Sequence, residues 1–156
     1  MTTVIARKMR RLAGLPGRRK RLLVEAAVAL ALARLATAFI PFRVIAAGIG
    51  RSMSPEDGRA TLAAQSPAPW QEAAAADIGW AVRCAASQAP FRALCLQQAL
   101  AARSMLAKRR IRSALFFGVL LTPGAPMQIH AWLDTPGQKL IGYPVAARFS
   151  VLACWC

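Results

Sequence analysis

Histidine is almost missing from this chain: His130 is the only one in 156 residues. Four cysteines occur, Cys84, Cys95, Cys154 and Cys156. Their spacings match no zinc template, and one histidine cannot complete the common finger. No metal or cofactor is implied. Acids are also scarce, 6 against 21 Lys plus Arg, which gives a formal net charge of +15. Such an excess favours acidic partners: nucleic acid, anionic lipid or an acidic peptide. Aromatics make up only 7%. They are not interleaved with the basic residues as a base-stacking surface would require, so no nucleic acid is expected. Charged residues of both signs total 17% and apolar ones 56%, which excludes a disordered basic tail. The length suits one domain with a real core.

Three regions follow from composition. Residues 1–21 hold Arg7, Lys8, Arg10, Arg11, Arg18, Arg19, Lys20 and Arg21 around Gly14, Pro16 and Gly17; they read as a basic, loosely held arm. Residues 22–75 read as helical. Their first stretch, Leu22 to Ile40, is rich in Ala and Leu and stops at Pro41. The long basic lead and Arg34 argue against a signal peptide. Glu25 and Arg34 leave too short a clean run for a ~30 Å hydrocarbon core. A soluble helix is expected, and peripheral membrane contact is the alternative. Ser54-Pro55-Glu56-Asp57 resembles a helix start. Residues 76–156 form the core region. Trp70 to Ala86 reads as helix with Ile78, Val82 and Ala85 along one face, and a second helix runs from about Arg92 to Arg110. The period then changes: Arg112–Leu121, Met127–Leu133 and Lys139–Tyr143 read as strands joined by Pro/Gly turns. The class is α+β, with helices followed by a small antiparallel sheet. Free thiols in a reducing, cytoplasmic compartment are expected; a bridge involving Cys84 or the terminal pair is the alternative.

Two residues carry candidate chemistry. A cysteine in the first turn of a helix meets the positive dipole end and free backbone N–H groups, which favour the thiolate and can hold an oxyanion. Cys95 has that position if the helix starts near Pro90 or Arg92. His130 lies mid-strand, and Gln128, His130 and Trp132 share one face. A helix packed on the sheet would bring sulfur and imidazole together as nucleophile and general base. The competing role of each is packing. A third group should orient the imidazole. Asp134 is on the right face but ~13 Å along an extended chain. Across the hairpin, His130 falls opposite Gly142 or Tyr143, and Gly142 offers only backbone. The orienter is therefore a backbone carbonyl, Gln128, a water, or Asp134 through a bulge.

The run Pro90-Phe91-Arg92-Ala93-Leu94-Cys95-Leu96-Gln97-Gln98-Ala99-Leu100, the basic end Lys108-Arg109-Arg110, Phe117-Gly118-Val119 and His130-Ala131-Trp132-Leu133-Asp134 together resemble the lasso-peptide leader peptidases. The basic Leu/Ala-rich helix ending in Ile40-Pro41-Phe42-Arg43 resembles their stand-alone form. The resemblance spans about residues 18–155. It implies a transglutaminase-like, papain-type cysteine peptidase fold, with a cysteine helix on a histidine-bearing sheet and an added N-terminal helical region. It implies leader removal from a ribosomally made precursor, with Cys95 as nucleophile and His130 as base. The partners implied are the precursor leader peptide, a separate leader-recognition protein and an ATP-dependent lasso cyclase. A separate recognition protein is implied because residues 1–75 look helical and lack the family's winged-helix-like element. The family's acid falls about twelve residues after the histidine, near Gly142 here, while Asp134 aligns with an acid often seen just after the His-Ala-Trp triplet. The alternative function is a non-catalytic adaptor that binds precursor or cyclase through a degenerate peptidase fold.

Overall fold

The computed structural model describes residue 14 and residues 16–156. Most of the basic arm lies outside that range. Its last residues do not form an arm: helix α1 spans Gly17–Phe39, opened by Pro16, whose fixed φ suits a helix entrance. Arg18 and Arg19 reach Asp77 at 3.1 and 4.0 Å, a tertiary pairing that local composition does not announce. Helix α2 covers Phe42–Ile49. A two-residue strand β1, Ser52–Met53, precedes α3, Pro55–Ala63. The Ser54 side chain accepts from the Asp57 N–H at 3.0 Å and caps α3 as its sequence foretells. Helix α4 spans Pro69–Gln88 and α5 spans Cys95–Ala107.

The sheet holds β2 (Ala114–Leu120), β3 (Gln128–Thr135), β4 (Gln138–Ile141) and β5 (Ser150–Trp155) beside β1, in the order β1-β5-β2-β3-β4. Every pairing is antiparallel. The class is α+β, as the change of period at Arg112 indicates.

The two faces of the sheet have different neighbours. One supports the larger core: Leu115, Ala131, Leu133 and Ile141 pack with Leu30 of α1, Ile78 and Val82 of α4, and Ala99, Ala102, Met105 and Leu106 of α5. The small residues Ala99, Ala102 and Ala131 let helix and sheet approach closely. The other face joins Ala114, Phe116, Trp132 and Cys154 to Leu62 of α3 and Ala146, with Tyr143 and Phe149 at its margin. Ion pairs and buried polar groups fix the helices. Arg109 makes a two-point contact with Glu25 at 3.1 and 2.7 Å, joining α5 to α1. The guanidinium of Arg103 donates to Ile49 O at 2.6 Å and Ser113 O at 2.7 Å, tying α5 to the end of α2 and the start of β2. All four cysteines are free.

Candidate active site

Cys95 is the first residue of α5. Two glutamines hold the chain there. Gln97, 1% exposed, accepts from the Leu94 N–H at 3.0 Å and donates to Thr37 Oγ1 at 3.0 Å. Gln98 donates to Ala93 O at 2.9 Å. The first bond satisfies one backbone N–H at the helix entrance, where four have no helical partner. The second ties the cysteine helix to α1 through a polar bridge. The thiol is partly buried and packs against the larger core.

His130 sits on β3 opposite Gly118 of β2. Its ring stacks on Trp132 with centroids 6.1 Å apart and lies 5.1 Å from Phe149. Trp132 stacks in turn on Phe116 at 5.8 Å. Glycine at 118 is what admits the indole, because a Cβ there would stand 2.8 Å from Trp132 Cη2. Three rings therefore line up from the core to the imidazole, and they fix its plane.

The imidazole Nε2 lies 2.9 Å from the Gly142 carbonyl oxygen. A carbonyl can only accept, so Nε2 carries the proton and a neutral ring keeps its lone pair on Nδ1. The sequence left the orienter among several groups; the backbone carbonyl at position 142 occupies that place. Asp134 is engaged elsewhere. Its Oδ2 accepts from Tyr143 Oη at 3.1 Å, and its Oδ1 is buried without a partner. The reason is register: strand alternation puts Asp134 on the face of His130 but four residue pairs further along β3, opposite Ala114. Burial raises the Asp134 carboxyl above its ordinary value, against the opposing pull of the Tyr143 hydroxyl and Lys139. Burial and the neighbouring carboxylate raise Tyr143 as well.

Among the described residues, no hydrogen bond joins the Cys95 sulfur to His130. Cys95 packs with the helices, whereas the ring contacts of His130 belong to the opposite face. Arg103 anchors α5 at Ser113, where β2 begins. Cys95 is eight residues back, ~12 Å along the helix axis. Gln97, Thr37 and Phe149 were not foreseen as site residues. Gln97 could have been read as a helix-entry signal two residues after the cysteine; Phe149 gave no local cue.

The chain belongs to the transglutaminase-like superfamily, which matches residues 36–154. No curated protein and no solved structure matches the chain significantly. A domain of this superfamily is consistent with cysteine peptidase chemistry.

Proposed function

We propose that this protein is a cysteine endopeptidase that removes the leader from a ribosomally synthesised lasso precursor peptide. The observation that carries the reading is the tautomer: Gly142 O holds Nε2–H, which leaves the Nδ1 lone pair free, and in this scheme Nδ1 takes a proton from the Cys95 thiol. The thiolate then attacks the scissile carbonyl. The proton on Nδ1 passes to the leaving amine, and water hydrolyses the thioester. The N–H groups at the entrance of α5 stabilise the oxyanion. Sulfur and imidazole pack with different faces of the sheet, so this scheme requires precursor binding to bring them together, a larger movement than the tightening of a long catalytic hydrogen bond. A backbone carbonyl orients the ring without adding a negative charge, so it supports the imidazolium less than an aspartate would. A separate leader-recognition protein presents the precursor, and an ATP-dependent cyclase closes the ring afterwards. The cytoplasm is the compartment that fits this pathway and the free thiols.

The missing sulfur–imidazole bond favours a second reading, a non-catalytic adaptor for precursor or cyclase. Mass spectrometry of a leader–core precursor incubated with the protein and its leader-binding partner separates the two. Cleavage by wild type, abolished in Cys95→Ala and His130→Ala, supports the peptidase. Cleavage that survives Cys95→Ala overturns it, and binding without cleavage by wild type selects the adaptor.

A further inference from the structure

Helix α1 is long and apolar enough to cross a membrane by length and composition, yet only 28% of its most apolar 18-residue window is buried. Leu22, Ala26, Ala29, Leu30 and Ala33 face the core. Its outer side is not the polar face that a surface helix normally shows. Val24, Val28, Leu32, Leu35 and Phe39 recur there at steps of three and four, exposed by 54 to 81%. They form one ridge ~22 Å long. Phe42 and Val44 of α2 extend the apolar surface, and Val28 and Leu32 also line a groove of about 810 Å³ against α2, α3 and α5.

Charge around the ridge has one sign. Arg21 precedes it by one turn, Arg34 flanks it and Arg43 follows on α2. All three are exposed, with no ion pair among the described residues. Lys108 and Arg112 stand at the groove. The only acid in α1, Glu25, is already held by Arg109 and Lys108.

We infer that the outer face of α1, continued by α2, docks on an anionic lipid bilayer. A second copy of the chain fits poorly, since each copy carries +15. A bilayer accepts a convex apolar ridge without a matching pocket, and it places anionic headgroups at the level of the flanking arginines. The opposite face of α1 packs on α4 and α5, so the helix lies along the surface and does not cross it.

Co-sedimentation of the full-length protein with phosphatidylcholine vesicles, with and without phosphatidylglycerol, tests this. Binding to the phosphatidylglycerol vesicles is expected to persist at about 0.15 M salt and to weaken by at least about tenfold in Leu35→Gln/Phe39→Gln. That variant leaves charge and core unchanged, and circular dichroism checks its fold. Leu35→Trp provides a second readout, with a blue-shifted emission expected on the same vesicles. No vesicle binding, which would point to an acidic protein partner, overturns the inference. So does binding undiminished in the double variant, which would be attraction by net charge alone, or a Leu35→Trp emission that vesicles leave unchanged.

Discussion

Gly142→Ala tests both the structure around the imidazole and the way the ring is held. Gly142 has φ +92°, a region that side-chain-bearing residues rarely adopt. An added Cβ would stand 2.6 Å from Trp132 Cβ and 3.0 Å from both Ala131 O and His130 Nε2. Backbone strain of this kind costs about 1–3 kcal/mol. Crowding a packed site costs about the same again, so the total loss is roughly 2–6 kcal/mol. For a domain of this size each kcal/mol lowers Tm by about 2–4 °C, and a fall of roughly 4–24 °C is expected in thermal denaturation followed by circular dichroism. Relief of the strain moves the carbonyl that holds Nε2, so precursor cleavage falls by at least about tenfold even below the transition. A Tm within about 2 °C of wild type would refute the reasoning. The same geometry limits Gly142→Asp. Its carboxylate would lie beside the imidazole, but it starts with the same strain and gains activity only if the backbone can shift.

Two more perturbations follow from buried polar groups. Asp134 has its folded-state pKa raised above 3.8 by burial, so the native state holds that proton more tightly than the unfolded chain. Its contribution to stability is greatest below the unfolded value and is lost as pH rises through the folded one; Asp134→Asn should remove this part of the decline in pH-dependent denaturation. Arg103→Ala leaves the Ile49 and Ser113 carbonyls without their guanidinium donor. Urea denaturation should show a loss of about 2–4 kcal/mol, and Arg103→Lys should recover little of it, because an ammonium cannot reproduce the planar fork.

The fold was legible wherever local chemistry decides it. Ser54 announces the cap of α3, and Pro90 marks the end of α4. The Phe/Val/Leu run after Arg112 announces a strand and a change of class. Cys95 falls at a helix entrance as its neighbours indicate, and counting back across the hairpin from His130 reaches Gly142. What escaped depends on distant partners. Gly17–Arg21 is the start of α1, with Arg18 and Arg19 beside Asp77. Strand β5 is a short six-residue run whose identity comes from pairing between β1 and β2. Asp134 was a tempting orienter by face alone. Its engagement with Tyr143 follows from the turn after β4, which no periodicity encodes.

The central claim is that the sulfur at the entrance of α5 and the imidazole on β3 act on each other. The most direct measurement is the iodoacetamide alkylation rate of Cys95 at neutral pH, read by peptide mass spectrometry, in wild type and His130→Ala with a non-cleavable precursor and the leader-binding partner present. The account predicts that Cys95 reacts faster than Cys84 and that His130→Ala slows Cys95 without slowing Cys84. Equal Cys95 rates in the two proteins would contradict it.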